Sequence, residues 1–286
     1  MDEFDAARSP YAGVKVALLT QHGKERVLAP LFRNMLAARI ELVAGFDTDT
    51  LGTFTRDVPR FGSQLDAARK KARVGMERSG LPVGLASEGS FGPGPFGFGS
   101  WNLELVLLVD AARGIEILGR SYAPGQHTHA LLDDLDGLTE VAKHAGFPAH
   151  GLVLRPESEN DPRLRKGLCS WPQLERAFAE ARQESSNGKV FVESDLRAHM
   201  HPTRMANIGA AARDLLIRAR SCCPACNAPG FGVVATVPGL PCRDCGDATD
   251  GARAEELGCA FCSHREVRRL ATPTFAEPLY CNRCNP

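Results

Sequence analysis

Through the first 220 residues, apolar positions alternate between short continuous runs and helical stripes. Residues 14–20 (VKVALLT) form an unbroken apolar run, the pattern of a buried strand. Beyond Gln21-His22-Gly23, apolar residues at Val27, Leu28, Leu31, Phe32, Met35 and Leu36 recur at helical spacing, with Pro30 near the first turn or kinking the helix. Residues 40–46 read as a second strand. Ser63 then caps a helix carrying Leu65, Ala68, Ala72 and Met76, with Arg69, Lys70, Lys71 and Arg73 along it. Residues 82–87 predict a third strand. Two further strand patterns, 103–110 and 114–121, are joined only by Ala-Ala-Arg, which makes them antiparallel neighbours and the sheet mixed. Helical stripes follow over 136–145, 172–183 and 204–220, with strands over 149–154 and 189–192. The Gly-, Pro- and Phe-rich residues 89–100 and the polar residues 156–170 predict irregular structure. Together these elements predict an α/β domain over residues 1–220, three-layered with a mixed sheet.

From residue 221 the pattern breaks. Four C-x-x-C pairs occur in the last 66 residues: Cys223/Cys226, Cys242/Cys245, Cys259/Cys262 and Cys281/Cys284. A C-x-x-C turn aims two sulfurs at one point, and two turns complete a tetrahedron around zinc. Eight ligands make two closed four-cysteine sites. Closed sites leave no position for water, so both zincs are expected to be structural. The Val233–Val237 stretch suits one side of a zinc-ribbon hairpin, favouring pairing of first with second and third with fourth pair; nested or crossed pairing stays open. Cys222 offers an alternative to Cys223, with the adjacent C-P-x-C form preferred. The second expected domain is therefore a small zinc ribbon over residues 221–286.

Charge narrows the function classes. Lys+Arg and Asp+Glu are equal at 34 each, so the chain lacks the basic excess of a general nucleic-acid binder. Each four-cysteine zinc site adds a net −2, which carries the metal-loaded chain to about −4 and further disfavours nucleic acid. No apolar run approaches the roughly 20 residues a spanning helix needs, so no membrane segment is expected. The acidic start MDEFDAARSP lacks the apolar stretch of a signal peptide. Clustered cysteines in a chain without an export signal point to a cytoplasmic location.

Polar clusters in the larger domain supply candidate chemistry. Thr20-Gln21-His22-Gly23-Lys24 lies at a strand-to-helix turn, where free amides and a lysine make a phosphate seat. Ser87-Glu88-Gly89-Ser90 ends a strand and opens a Gly-rich loop, where Glu88 is placed to hold magnesium or act as a base. Residues 193–204 (ESDLRAHMHPTR) place an ionisable group at every odd position from 193 to 201. Extended backbone there would put Glu193, Asp195, Arg197 and His199 on one face, followed by Arg204 and Asn207 one helical turn apart. Carboxylates beside arginine and histidine form the pattern of a metal–phosphate site. His127 and His129 read as a polar cap at a helix entry.

The segments LLTQHGKERVLAPLF, LASEGSFGP, VESDLRAHMHPTRM, CPAC…PGFG…PCRDCG and YCNRCNP resemble an uncharacterised bacterial family, a domain of unknown function. That resemblance covers nearly the whole chain and implies no activity. Over residues 14–90 the chain is more distantly similar to the inosine/xanthosine triphosphate pyrophosphatases, with Gly52-Thr53-Phe54 matching their Gly-x-Thr-Phe-like stretch. That likeness implies phosphate contact by Lys24 and magnesium binding assisted by Glu88. The expected activity is magnesium-dependent hydrolysis of a phosphoanhydride in a small, nucleotide-like phosphorylated molecule. In it Lys24, Arg197 and Arg204 bind phosphate, and Glu88 and Asp195 hold the cation or activate water. The competing expectation is a non-catalytic scaffold whose zinc ribbon recruits a protein partner.

Overall fold

The computed structural model describes residues 6–46, 62–94 and 97–286. The chain divides into two compact units, Met1–Ala112 with Leu118–Leu216, and Arg113–Ile117 with Ile217–Pro286.

The first unit begins with β1 (Lys15–Leu19), α1 (Glu25–Leu36), β2 (Arg39–Val43), α2 (Gln64–Ser79), β3 (Val83–Pro93), β4 (Ser100–Asp110) and β5 (Ile115–Pro124). These strands form one sheet in the order β2-β1-β3-β4-β5. Strand β1 is parallel to both β2 and β3, while β3 and β4 are antiparallel, so the sheet is mixed. Ser63 caps α2 in a reciprocal capping box with Asp66, as its position before the apolar stripe predicts. Pro30 lies inside α1. From β1 the chain steps to one side to reach β2, then crosses back to β3 on the other side. Right-handed crossovers then put α1 and α2 on opposite faces. Ala17 and Leu19 face α2 accordingly, their Cβ atoms 3.8 and 3.5 Å from where a Cβ on Gly75 would lie. Helix α5 (Pro202–Arg220) packs on the α1 side, where Gly209 meets Val27 and Asn207 donates to Asn102.

Two sequence expectations need correction here. Residues 89–100 are not all irregular, because β3 runs to Pro93 and β4 begins at Ser100, with Gly89 opposite Glu104 and Phe91 opposite Asn102. An antiparallel ladder holds Gly-rich backbone extended once a partner strand supplies the hydrogen bonds. The single three-layer domain is also too simple. A second sheet follows, built from β6 (His129–Leu132), β7 (Leu152–Pro156), β8 (Arg165–Leu168) and β9 (Val190–Ser194) in the order β6-β9-β7-β8. Helices α3 (Leu135–Ala145) and α4 (Trp171–Glu184) contribute Leu138 and Phe178 to a core shared with Leu154 and Val192. Strand β8 lies within residues 156–170, and His129 starts a strand rather than a helix entry. Asp134 caps α3 instead, accepting from the Gly137 N–H.

The second unit carries β10 (Gly232–Pro238), β11 (Ala252–Gly258) and β12 (Arg265–Arg269), all antiparallel and in sequence order. Among the described residues no helix is long and apolar enough to cross a membrane.

Candidate functional site

In the second unit the eight paired cysteines gather into two clusters. Cys223, Cys226, Cys259 and Cys262 form one, and Cys242, Cys245, Cys281 and Cys284 the other. The pairing is therefore interleaved, first with third and second with fourth, which corrects the favoured consecutive pairing. Strand geometry explains it. The first two pairs stand at opposite ends of β10, whose seven residues span roughly 24 Å at about 3.4 Å each. Antiparallel β11 sets Gly258 opposite Gly232, bringing the third pair back beside the first. The return along β12 then delivers the fourth pair beside the second, where Ala276 bridges to Cys242. Cys223, not Cys222, belongs to the cluster.

Sulfur–sulfur distances test the fit to a metal. Cys223–Cys262 and Cys226–Cys259 are 3.8 and 3.6 Å apart, and Cys242–Cys284 and Cys245–Cys281 are 3.9 and 3.6 Å apart. A tetrahedron with Zn–S bonds of about 2.3 Å has an edge of about 3.8 Å. Four thiolates at such spacing repel one another unless a cation lies between them. The sulfurs register that crowding. The N–H groups of Cys284 and Arg283 draw Cys281 down to about 7, while the neighbouring Cys245 sulfur pushes Cys284 up to about 12. Both clusters are compatible with structural zinc, and a closed set of four sulfurs offers no catalytic position.

The first unit holds a polar crevice at the carboxyl end of β1, beside the middle of β3. This is a topological switch point, because the helices leaving β1 and reaching β3 lie on opposite faces. Strand β3 continues past the end of β1, and Lys24 closes over the uncovered edge. Its ammonium donates to the Ser87 carbonyl at 2.8 Å and to Ser87 Oγ at 3.3 Å. Burial, followed by the nearby Arg204, lowers Lys24 to about 7. Lys24 also stands at the start of α1, which lacks a side-chain cap. In that first turn the Arg26 and Val27 N–H groups already bond the Gly23 and Lys24 carbonyls, each at 3.2 Å. A cavity of about 640 Å³ opens here, lined by Gln21, Gly23, Arg26, His199 and Met205 among others. Gly23 has a φ of +67°, a left-handed conformation suited to glycine, and its missing side chain leaves room beside Arg26 and His199. His22 and His199 stack with ring centroids 5.2 Å apart. Burial, then Lys24 and His199, hold His22 down at about 3, so it is neutral at pH 7.

Glu88 and Arg204 reach this region from opposite faces of the sheet. Glu88 turns toward α2 and pairs with Lys71. On the other face, Arg204 Nε binds Glu104 Oε1 at 2.6 Å, with both side chains at most 1% exposed. Asn102 donates to the same oxygen at 3.1 Å. This ion pair fills the space above Gly89, where any Cβ would collide with Glu104 and Arg204. Gly89→Ala is accordingly expected to lower the unfolding midpoint, by about 1–3 kcal/mol for overpacking; chemical denaturation measures it.

Asp195 and Arg197 bind each other. Arg197 Nε lies 2.9 Å from Oδ1 and a terminal nitrogen 2.6 Å from Oδ2, while the Gly167 N–H donates to Oδ2 at 3.1 Å. The extended, alternating face expected for residues 193–199 does not form. Strand β9 stops at Ser194, the Arg197 N–H folds back onto Asp195, and Ala198–Met200 make a short 3-10 turn. Glu193 contacts Arg155 at 3.5 Å instead. Lys24 thus lies near both Glu88 and Arg204, which stand on opposite faces of the sheet in ion pairs of their own, and Asp195 is enclosed by its own partners.

Residues 71–286 match a family described as Domain of unknown function (DUF6671). The chain belongs to that family. No curated protein and no solved structure gives a significant match. None of these comparisons supports the likeness to the triphosphate pyrophosphatases, and Gly52-Thr53-Phe54 lies outside the described residues. The DUF6671 segment contains the eight cysteines of the two clusters together with Lys71, Glu88, Glu104, Asp195, Arg197 and Arg204. Lys24 and His22 precede it.

Sequence reasoning missed three residues of this DUF6671 crevice: Lys71, Glu104 and His201. Glu104 sits within an apolar strand run, and an ionisable group in such a run was itself the available signal. His201 caps α5 in place of the usual Ser or Asp. Its Nδ1 accepts the Arg204 N–H at 3.1 Å and its Nε2 donates to the Gln126 carbonyl at 2.7 Å, which fixes a neutral ring. Burial holds His201 at about 4, and protonation of Nδ1 would break the cap. The unfolded histidine titrates near 6.5. Stability from His22 and His201 is therefore complete above about pH 6.5 and is lost as pH falls toward 4 and 3. Thermal unfolding of the first unit should shift down over that window, and His201→Asn should flatten the upper part of the loss. An unchanged pH profile in the variant counts against the cap.

Proposed function

We propose that the α/β unit binds a small, nucleotide-like phosphorylated molecule at the carboxyl end of β1, beside β3, and hydrolyses a phosphoanhydride bond in it with magnesium. The observation that carries the reading is Lys24, a buried ammonium at a switch point beside the uncapped start of α1 and an open cavity. In this reading phosphate sits in the cavity beside the start of α1, with Lys24 behind it and Arg26 and His199 at the mouth. Glu88 would meet the cation by leaving Lys71, which then turns to phosphate, so every charge keeps a partner. Asp195 serves by orienting Arg197, and Arg204 by holding Glu104. A reducing cytoplasm would keep the eight thiols available for zinc.

Zinc-loaded protein is to be assayed against nucleoside triphosphates and sugar nucleotides with magnesium. Turnover should fall at least a hundredfold in Lys24→Met and in Glu88→Gln. No turnover on any of these substrates, or full activity in both variants, defeats the reading. Protonated Lys24 is the phosphate-binding form, so affinity should decline as pH rises above about 7. That slope should vanish in Lys24→Met.

A second reading is favoured by the surface of the zinc-bearing unit, where Phe261, Val267, Leu279 and Tyr280 are each more than 60% exposed. Exposed apolar residues on a small metal-stabilised scaffold suit docking to a protein partner. Pull-down partners that persist after deletion of residues 221–286 would count against it.

A further inference from the structure

The six arginines of residues 221–286 divide into two groups. Arg243 pairs with Glu277, Arg283 with Asp247, Arg265 with Glu256 and Arg268 with Glu255. Arg253 and Arg269 have no acidic partner among the described residues, and both line one cavity of about 540 Å³. Its apolar lining includes Val237, Leu240, Val267 and Leu270. Val237 stands opposite Ala254, and Ala254 opposite Arg269, so these residues share one face of the sheet.

The cavity adjoins an open edge. Strand β12 pairs with β11 on one side only, and all five of its residues are exposed. An edge strand presents a row of unpaired N–H and C=O groups to any extended chain. Its sequence, Arg-Glu-Val-Arg-Arg, repels another basic strand and welcomes an acidic one.

We infer that β12 is a docking edge for a partner polypeptide that adds an extended acidic strand, seating a carboxylate between Arg253 and Arg269 and an apolar side chain against Val237, Val267 and Leu270. Main-chain hydrogen bonds along β12 supply affinity, and the cavity supplies specificity at alternate positions. Charge complementarity selects the occupant. The two arginines without internal partners face the site, and desolvating them beside a carboxylate costs no existing ion pair. Nucleic acid fits less well, because it lacks the peptide groups that would pair along β12. The inference gives a place to the protein-docking reading and is independent of the phosphoanhydride one.

The test uses the full-length zinc-loaded chain and fluorescence anisotropy. Three labelled probes are compared: a ten-residue peptide alternating Glu and Val, its Lys–Val counterpart, and a twenty-nucleotide oligothymidine. The Glu–Val peptide should bind at least tenfold tighter than the Lys–Val peptide. Arg253→Ala with Arg269→Ala should weaken it tenfold or more, and Val267→Glu should do the same from an exposed position. Arg243→Ala should leave binding unchanged. Elemental analysis of each variant establishes that its zinc content matches that of the unaltered chain. Equal binding of the two peptides overturns the inference, as does binding unaffected by the Arg253/Arg269 double variant. Tighter binding of oligothymidine, lost in the same variant, also overturns it and assigns the edge to nucleic acid. Such a failure leaves pull-down by the whole tail as a separate measurement, so the two readings can fall independently.

Discussion

The double substitution Cys223→Ala with Cys242→Ala should remove both zinc ions, whereas Cys223→Ala with Cys259→Ala should remove only one. The difference follows from the interleaved clusters, since Cys223 shares a site with Cys259 and Cys242 belongs to the other. Consecutive pairing would reverse the outcome, with Cys223 and Cys242 in a single site. Elemental analysis of the purified variants decides between them. The structural effect should be large. The second unit has a small three-stranded sheet, and one of its apolar clusters consists of Phe231 packed with Cys223 and Cys259, flanked by Ala228, Leu257 and Cys262. Its ligands are thus part of its core. A core this small does not sustain a fold alone, and structural zinc contributes on the order of 10 kcal/mol or more in comparable modules. Loss of either zinc should open residues 222–286 to proteolysis, and loss of both should abolish amide protection along β10–β12. A protease-resistant tail in the zinc-free protein would show that metal does not hold it.

The cysteine ligands were legible because C-x-x-C spacing is local chemistry. Two sulfurs of one turn meet at one point whatever the rest of the chain does. Which turns meet is not local. It depends on strands β11 and β12, whose sequences ARAEELG and REVRR lack the apolar alternation that marks a buried strand. The cysteine clusters stand toward both ends of these polar strands, so hydrophobic pattern says little about them. The strand–helix order of the first unit was legible for the opposite reason. Val16–Leu19 and the Leu28/Phe32/Leu36 stripe bury apolar area and leave the expected signature. The second sheet was missed as a separate layer, because β6 and β8 are four-residue strands of half-buried or exposed residues.

The candidate crevice was half legible. Lys24 stands where a polar residue follows a buried strand, and such a position advertises itself, whereas Glu88 lies within β3, which runs on to Pro93. Asp195 misled because charge alternation implies a strand face only if the backbone stays extended. An arginine two residues away can instead fold back and close a bidentate pair, as Arg197 does. Glu104 and Arg204 are 100 residues apart in sequence and meet across β4 and α5. No window of sequence contains that pair.

That pair should govern the stability of the first unit. Glu104→Ala removes the carboxylate from a fully buried guanidinium and leaves Arg204 charged and desolvated, with its bond to the Leu196 carbonyl retained. Asn102 loses an acceptor in the same step. Removing one member of a buried ion pair costs about 3–5 kcal/mol, much of it the isolation of the surviving charge. Arg204→Met should cost a comparable amount, because Glu104 is then buried without its cation. The pair itself is a different matter, since desolvating both ions offsets most of their attraction. Glu104→Leu with Arg204→Met should therefore recover most of the loss, provided the apolar side chains fill the space above Gly89. Urea unfolding of the four proteins gives the coupling directly. Single variants within about 1 kcal/mol of the parent would mean that water reaches the pair. A double variant as unstable as the sum of the singles would mean that the site depends on charge rather than volume, and would move the pair from scaffold to binding machinery.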